Sequence, residues 1–371
     1  LHSIARRQRQ MCIRDSASGL GNYSRDLVRI LVTYFPKNHY HLYNPKKQKL
    51  SRWKALPNTT EHQPKGIWRC LHSLWRQGPI VRQLKKDRIN VFHGLSGELP
   101  KGLDIPAVVT VHDLIFYRYP ELYKSIDVEI HKRKVNHAVK TASKIVAISE
   151  QTKADLIEFT ATPAQNIEVI YQGCHPAFKT PYSKKFLNTI TKKYQLPKKF
   201  VLFVGTLEAR KNAMTIVKGL KDTNHHMVFV GKVKAHGEKL KTYVKENNLQ
   251  DRVLFIHNID IEDLAGIYQN ATVFCYPSFF EGFGIPIIEA LHSGVPVITT
   301  KGGCFSEAGG SSSIYIDPHS ETELQTAVES LYAESNKSRK KRIESGFNYV
   351  QKFNDNVLAE QWNRLYKSLL T

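Results

Sequence analysis

Short apolar runs rich in β-branched residues alternate with longer segments in which apolar residues recur every three or four positions. In the second half of the chain, six such runs predict strands at 200–204, 227–230, 253–256, 273–276, 295–299 and 313–316. Helical stretches such as 261–270 and 321–331 separate them. Strands that alternate with helices are typical of a parallel sheet covered by helices on both faces.

The first half shows the same alternation, with strands predicted at 91–92, 107–111, 144–148 and 167–170. A glycine turn at 18–23 opens an amphipathic helix. Such a turn normally follows a strand, and the residues before it carry no strand pattern. The sequence therefore predicts that the first strand of this half is missing.

A polar, lysine-rich segment at 181–199 divides the two halves and predicts a connection that holds one helix. We expect an N-terminal domain at 17–180, a second domain at 181–355 and a C-terminal helix at 356–371 that returns to the first domain. Two Rossmann-like α/β domains that face a central cleft are the predicted architecture. Ligands of such sheets bind outside the carboxyl ends of the strands.

The first sixteen residues are interpreted separately. Residues 6–15 resemble one translated frame of a sequencing-library adapter, so the segment 1–16 is predicted to be non-native, and the alternative is a genuine basic tail. Without this segment the net charge falls from +21 to +18. The basic surplus therefore does not depend on the interpretation of these residues.

The composition narrows the class of protein. A length of 371 residues with 41% apolar residues supports two globular domains, and no apolar run approaches the roughly 18–20 residues that span a bilayer. The five cysteines form no C-x-x-C pair, which argues against a disulfide framework or a zinc site and fits a cytoplasmic location. The positive charge favours an anionic partner: a phosphate-bearing substrate, a membrane face or a nucleic acid.

The basic surplus is concentrated between residues 17 and 105, where sixteen Lys and Arg residues accompany five acidic ones. Within 66–76, five apolar residues are predicted to share one helical face with two arginines beside it: Ile67, Trp68, Leu71, Leu74, Trp75, Arg69 and Arg76. Such a helix can lie on an anionic membrane surface, here through residues 66–88. The alternative is a helix that packs into the core and exposes a basic edge.

The most informative segment is 277–291, which follows a strand and opens a helix. Gly282 and Gly284 allow the backbone to approach a ligand closely, and the start of the helix offers free N–H groups to an anion. Glu281 and Glu289 place two acceptors beside that position. A single glutamate near a helix start usually only complements the helix dipole, so the prediction depends on the whole segment.

This segment resembles the E-x7-E signature of the retaining glycosyltransferases of family 4, which have the GT-B fold. Four further segments resemble the family in the correct order along the chain: 18–23, 109–114, 170–178 and 204–212. The resemblance therefore covers nearly everything after residue 16. It implies a GT-B fold and transfer of a hexose from a nucleotide sugar to a glycan or a lipid-linked saccharide.

The donor leaves as a nucleoside diphosphate, so the reaction needs fixed positive charge where negative charge develops. Arg210 and Lys211 follow a predicted strand and can supply it, although such a pair is often only solvated surface charge. By resemblance, the backbone N–H groups around Phe283 and Gly284 help to bind the sugar and the phosphate.

The resemblance implies further roles for five residues. Glu289 is expected to accept hydrogen bonds from the ribose hydroxyls, and Glu281 to hold hydroxyls of the donor sugar. His112 matches the acceptor-domain histidine that approaches the donor sugar, and the alternative for it is a structural histidine. The amides of Gly19 and Gly21 are expected to face the diphosphate.

The family resemblance also implies retention at the anomeric carbon, with the leaving-group oxygen taking the acceptor's proton, and it implies no metal ion or other cofactor. The segments 111–120 and 205–212 look most like bacterial mannosyltransferases of O-antigen assembly, which suggests GDP-mannose as the donor. Another GT-B enzyme, such as a nucleotide-sugar epimerase, is the alternative. A nucleic-acid-binding protein would explain the charge, but no recognition motif is present, and no nucleic-acid partner is expected.

Overall fold

The computed structural model describes residues 8–12, 19–45 and 58–370, with backbone alone for 8–12, Gly19 and Leu20. The chain divides into two compact units. Unit 1 contains the described residues up to Gln172 together with those from Phe353 onwards, and unit 2 is Gly173–Lys352. Each unit has a parallel sheet of its own.

Unit 1 is built around a seven-stranded sheet with the order β3-β2-β1-β4-β5-β6-β7. Its strands are β1 (Gln8–Cys12), β2 (His39–Tyr43), β3 (Thr59–His62), β4 (Val91–Gly94), β5 (Ala107–Val111), β6 (Lys144–Ala147) and β7 (Ile167–Val169). Its helices are α1 (Gly19–Tyr34), α2 (His72–Trp75), α3 (Ile80–Lys86), α4 (Ile115–Arg118), α5 (Ser125–Thr141), α6 (Glu150–Thr160) and, from the end of the chain, α15 (Asp355–Ser368).

The sheet of unit 1 separates two apolar clusters. Successive residues of a strand point to opposite faces, and Val108 accordingly packs on one side with α1 and α15 while Val109 packs on the other side with α3 and α5. Trp362 of α15 is fully buried in the first cluster together with Leu27 of α1. The end of the chain therefore completes the core of unit 1.

One feature of unit 1 differs from what the sequence predicts. The position where a strand was predicted to be missing is occupied by β1, which pairs in parallel with both β2 and β4 in the middle of the sheet. Backbone ladders use N–H and C=O groups that every residue except proline carries, so an extended segment can fill this position without an apolar sequence. The non-native origin of residues 1–16 stays a prediction.

The segment 66–76 also differs from its prediction. A short 3-10 helix, Gly66–Arg69, and the single turn of α2 replace the one continuous helix that the apolar spacing indicated. Ile67, Leu71 and Leu74 are exposed, whereas Trp75 is buried in the core. The predicted shared face is therefore split between solvent and core.

Unit 2 has a six-stranded parallel sheet with the order β10-β9-β8-β11-β12-β13. Its strands are β8 (Phe200–Val204), β9 (His226–Val230), β10 (Val253–Ile256), β11 (Val273–Tyr276), β12 (Val297–Thr300) and β13 (Ile314–Ile316). Its helices are α7 (Lys184–Tyr194), α8 (Ala213–Leu220), α9 (Ala235–Glu246), α10 (Ile261–Asn270), α11 (Ile285–His292), α12 (Gly303–Gly309), α13 (Glu321–Tyr332) and α14 (Asn336–Val350).

The two central strands of this sheet bring two loops together. β8 consists of five buried apolar residues and pairs with β11, so the loops that follow these strands leave the same edge. A Cβ atom on Gly231, just after β9, would lie 2.0 Å from the carbonyl oxygen of Gly205, so a glycine is needed where these chain segments approach. Among the described residues, no helix has the length and apolar character needed to cross a membrane.

Candidate active site

The loop after β8 and the loop after β11 are joined by direct hydrogen bonds. The amide of Phe279 donates to the carbonyl of Arg210 over 2.9 Å, and the side-chain amide of Asn212 donates to the carbonyl of Pro277 over 3.1 Å. Asn212 has a φ of +55°, a conformation that asparagine tolerates better than most residues. This connection fixes Arg210 and Lys211 beside the loop that carries Glu281.

Glu281 lies buried between two cations. Lys211 Nζ is 2.6 Å from Glu281 Oε1, and Arg210 Nη1 is 2.9 Å from Oε2. Burial alone would raise the pKa of Glu281, but the charges of Lys211 and Arg210 outweigh it and lower the pKa to about 2. The carboxylate is therefore ionised at neutral pH and holds the two cations side by side.

Three further residues join this cluster, and the sequence did not single them out. The Tyr276 hydroxyl, at the end of β11, donates to Glu281 Oε1 over 3.1 Å and accepts from Lys211. Glu208 binds Arg210 at 3.1 Å and Lys234 at 2.8 Å. Tyr276 looked like an ordinary core residue of an apolar strand. With Lys234 the cluster contains three cations, and its carboxylates are those of Glu208 and Glu281. The cluster therefore has one excess positive charge.

Lys211 and Arg210 respond differently to the same carboxylate. Burial lowers the pKa of Lys211, and the attraction of Glu281 recovers only part of that loss. Burial also disfavours the charged form of Arg210, yet Glu281 raises its pKa above the usual value. A guanidinium stays charged in proteins, so Arg210 is a permanent cation, whereas Glu281 favours the charged form of Lys211 against the effect of burial.

Glu289, eight residues after Glu281, has a very different environment. It lies on α11, and Tyr268 donates a hydrogen bond of 3.0 Å to its Oε2. Burial raises the pKa of this carboxyl to about 7, and the bond from Tyr268 offsets only part of the effect. Glu289 is therefore balanced between its neutral and ionised forms near physiological pH.

The start of α11 requires a glycine. Gly284 has a φ of +117°, and an added Cβ would lie 3.1 Å from Ile287 Cδ1. The ring of Phe283 is buried, so this residue can contribute only backbone groups to a ligand. The first turn of α11 lies close in sequence to the charge cluster, and the positive end of its dipole favours an anion there. Pro286 carries no N–H, and the N–H of Ile287 donates to the carbonyl of Gly284 over 2.9 Å.

In unit 1, His112 follows β5 and is held by three neighbours. Its Nε2 donates to the carbonyl of Leu95 over 2.9 Å, and Gln172 Nε2 donates to its Nδ1 over 3.0 Å. The ring of Tyr23 meets it edge-on, with centroids 4.6 Å apart. Burial lowers the pKa of His112 to about 4, so the ring is neutral at physiological pH. Both ring nitrogens are engaged, and a contact with a sugar would require the exchange of one bond.

A second buried histidine adjoins this position and was not predicted. His93 Nε2 lies 2.8 Å from Thr110 Oγ1, and its Nδ1 lies 2.7 Å from the hydroxyl of Tyr366 on α15. Burial lowers the pKa of His93 to about 3. This histidine is thus a neutral link in a hydrogen-bonded network that includes the end of the chain. Gly19 and Gly21 lie in the first turn of α1.

Two family models match the chain, one over each unit. Residues 19–178 match "Glycosyltransferase Family 4", and residues 188–349 match "Glycosyl transferases group 1". Sucrose-phosphate synthase from Thermosynechococcus elongatus superposes with a TM-score of 0.79 at 22% identity, over 98% of this chain and 99% of that one. The chain belongs to the GT-B glycosyltransferases.

Other proteins similar to this glycosyltransferase carry related names. O-antigen chain mannosyltransferase B from Escherichia coli is 26% identical over 83% of this chain and 85% of its own length. O-antigen chain mannosyltransferase RfbU from Salmonella typhimurium is 26% identical over 60% of each chain. The structure of HepE from Anabaena, in complex with UDP and glucose, superposes with a TM-score of 0.77 at 17% identity, over 98% of this chain and 99% of that one.

Proposed function

We propose that this glycosyltransferase moves a hexose, with mannose from GDP-mannose as the leading candidate, from a nucleotide sugar to a glycan or a lipid-linked saccharide, with retention at the anomeric carbon. The buried cluster of Arg210, Lys211 and Glu281 carries the proposal. The names of the similar O-antigen mannosyltransferases support the choice of sugar and acceptor class.

The cluster is suited to a departing diphosphate. Its fixed N–H donors and net positive charge would stabilise negative charge that grows on the leaving oxygen, and a buried site strengthens this effect because little solvent screens it. Glu281 offsets the repulsion between Arg210 and Lys211 and keeps both in position. By resemblance, Glu281 also accepts hydrogen bonds from hydroxyls of the donor sugar.

The start of α11 and Glu289 complete the donor site in this proposal. Backbone N–H groups around Phe283 and Gly284 bind phosphate and sugar oxygens, and Glu289 accepts hydrogen bonds from the ribose. An ionised carboxylate accepts such bonds more strongly than a neutral carboxyl. The raised pKa of Glu289 therefore makes donor binding sensitive to pH near 7.

The transfer step balances without a protein nucleophile. The bond from the anomeric carbon to the diphosphate oxygen breaks, the acceptor oxygen bonds to the same face of that carbon, and the acceptor's proton passes to the leaving oxygen. In this proposal the step uses no metal ion. His112, Gly19 and Gly21 keep the roles that the family resemblance implies for them.

A panel of nucleotide sugars tests the proposal. GDP-mannose, UDP-glucose, UDP-galactose and UDP-N-acetylglucosamine are titrated calorimetrically into the wild-type protein and into Glu289→Ala. Lys218→Ala is the control, because Lys218 forms only a partly exposed contact with Glu321 on the surface of unit 2. Binding of one donor that Glu289→Ala loses and Lys218→Ala keeps supports the proposal.

Two results would contradict it. Failure of every donor to bind the folded protein, together with salt-dependent binding to DNA, would favour a nucleic-acid-binding function. Conversion of the donor without any acceptor to an isomeric nucleotide sugar would favour an epimerase.

We also propose that the enzyme lies on an anionic membrane surface through residues 66–88. Ile67 is 68% exposed and Leu74 is 52% exposed, and the basic residues Lys65 and Arg69 are exposed near them. Apolar side chains with flanking cations match the interface of an anionic bilayer. Such contact would bring the enzyme to a lipid-linked acceptor.

Sedimentation with liposomes tests this surface. The wild type is expected to bind anionic vesicles, less so at high salt, and the double variant Ile67→Ser, Leu74→Ser is expected to bind weakly. Ile126→Ser is a matched control, since Ile126 is 69% exposed on α5 of the same unit. Equal binding to neutral and anionic vesicles, or equal loss in the control, would rule this surface out.

A further inference from the structure

A cluster of metal-ligating side chains lies in unit 1 and includes none of the residues that the proposed reaction uses. His41, His62 and Asp87 each offer one ligand atom, and these atoms all lie within 4.8 Å of one another. They come from β2, from the end of β3 and from the residue after α3. The cluster could not be predicted from the sequence, because its three members are separated by 21 and 25 positions.

The geometry of the sheet explains how the two histidines meet. Alternate residues of a strand share a face, so His41 and Tyr43 lie on the same face of β2. Tyr43 is paired in register with His62 of β3. The rings of Tyr43 and His62 stack with centroids 4.5 Å apart, and His41 Nδ1 lies 2.9 Å from His62 Nε2.

Asp87 approaches this pair from the end of α3 and is held in place. Its Oδ2 lies 3.5 Å from His62 Nδ1. Gln83 donates to both carboxylate oxygens at 2.9 Å, and the hydroxyl of Tyr43 donates to Oδ2. Partners that bind and orient a ligating carboxylate in this way are typical of metal sites.

His41 also has a buried ring nitrogen without a partner, on the side of the ring away from the Nδ1 that faces His62. The side chain is only 8% exposed, and its Nε2 has no hydrogen-bond partner among the residues that the structure describes. A buried polar atom without a partner costs roughly 1–3 kcal/mol.

We infer that His41, His62 and Asp87 form a binding site for a divalent transition-metal ion of the zinc class. Two imidazole nitrogens and one carboxylate oxygen are a donor set that zinc accepts, with bonds of about 2.0–2.2 Å. Small movements of the three side chains bring their ligand atoms to the spacing of a tetrahedral site. His62 and Gln83 also line an open cleft of about 920 Å³, which gives an ion a path to the site and leaves room for a further ligand.

An ion here would join three parts of unit 1 that are distant in sequence. It would tie β3, which lies at the edge of the sheet, to β2 and to the end of α3. Ligand binding to the native state alone stabilises it in proportion to the logarithm of the ligand concentration. The site is therefore expected to stabilise unit 1, independently of the donor site in unit 2.

Zinc binding to the untagged full-length chain tests the inference. The protein is stripped with a chelator, incubated with zinc chloride and passed through a desalting column, and its metal content is measured by mass spectrometry. One zinc ion per chain is expected in the wild type, with near-complete loss in His62→Gln and Asp87→Asn. Cobalt is expected to produce the strong visible bands of a tetrahedral site in the wild type and in neither of these two variants.

Two further variants keep the test independent of folding defects. Gln83→Met leaves all three ligands in place and is expected to weaken zinc binding by roughly 10-fold or more, because it removes a partner of the carboxylate. His225→Gln, in unit 2, is the matched control, since His225 also contacts a carboxylate, with Nε2 3.1 Å from Glu329 Oε1. The inference is overturned if the wild type retains no zinc, or if His62→Gln and Asp87→Asn retain as much zinc as the wild type.

Discussion

The polar clusters at the strand ends of the two units differ in kind. In unit 2, Arg210, Lys211 and Glu281 are buried as charged groups that depend on each other. In unit 1, His93 and His112 are buried as neutral groups, because burial lowers the pKa of each below the physiological range. Removal of one member should therefore lower the free energy of unfolding much more in unit 2, because it leaves a buried charge without its partner.

The largest effect is expected from Glu281→Gln. It leaves two neighbouring cations without their shared carboxylate, and breaking a buried ion pair in this way costs about 3–5 kcal/mol. Urea unfolding of the variant should show this loss in the free energy of unfolding, and Lys211→Met added to it should restore a part. If the free energy of unfolding falls no more than it does for a surface substitution, the buried charges of unit 2 do not depend on each other as we expect.

A smaller effect is expected from Thr110→Val in unit 1. The hydroxyl of Thr110 lies 2.8 Å from His93 Nε2 and 3.2 Å from the hydroxyl of Tyr23. Its removal leaves neutral groups unsatisfied, which costs about 1–3 kcal/mol. Thr189→Val is the control, because that exposed hydroxyl bonds only to a carbonyl of its own helix. Chemical denaturation of both variants measures the difference.

The third prediction compares the two glutamates of the same motif. Glu289 has a pKa raised to about 7, so donor binding should weaken by about tenfold between about pH 8 and pH 6 as the carboxyl gains a proton. Glu289→Gln should bind donor more weakly and without this pH dependence. Glu281, with a pKa of about 2, stays ionised throughout and contributes nothing to it. Calorimetric titration at several pH values separates the two.

Protein stability should change with pH in the same window. The native state keeps a proton on Glu289 between its ordinary pKa of 4.5 and about 7, whereas the unfolded chain has released it. The stabilising contribution is therefore present at low pH and is lost as the pH rises towards 7. A wild-type unfolding curve with the same pH slope as that of Glu289→Gln would contradict the assignment.

The smallest effect is expected from a charged pair that is not buried. Lys85 and Asp104 lie 2.9 Å apart in unit 1, and both side chains are exposed. Water and salt screen such pairs, which contribute little to stability. Lys85→Ala should leave the unfolding midpoint unchanged within error. A clear decrease would show that an ion pair stabilises this protein even when it is exposed, so that burial would not explain the difference expected between the two clusters.

Most of the sheets could be predicted because their strands are apolar on both faces. The strands β5, β8, β10 and β11 have the predicted bounds, since each is a short, mainly apolar run between polar loops. Three of them are fully buried, and β10, at the edge of its sheet, is partly buried. β2 was missed because histidines alternate with its tyrosines and leucine. β3 was missed because it is a polar, half-buried edge strand.

The candidate site could be predicted only where its residues lie close in sequence. Glu281, Glu289 and Gly284 share one segment, and Arg210 and Lys211 are adjacent. Tyr276 joins the cluster by accepting a hydrogen bond from Lys211 of the other loop, which the pattern of the chain does not indicate. Glu208 pairs with Arg210 two positions along, and nothing in the pattern distinguished it from a surface glutamate. The zinc-class cluster was missed for the same reason, because pairing of β2 with β3 brings its histidines together.

The position of α15 has a consequence for how the protein is made. Unit 2 is one continuous stretch of chain, whereas the core of unit 1 includes Leu358, Trp362 and Tyr366 from the last helix. On the ribosome, unit 2 can finish folding while unit 1, although synthesised first, still has an uncovered apolar face. Unit 1 is thus the part of the nascent chain that most needs protection from aggregation until α15 has been synthesised.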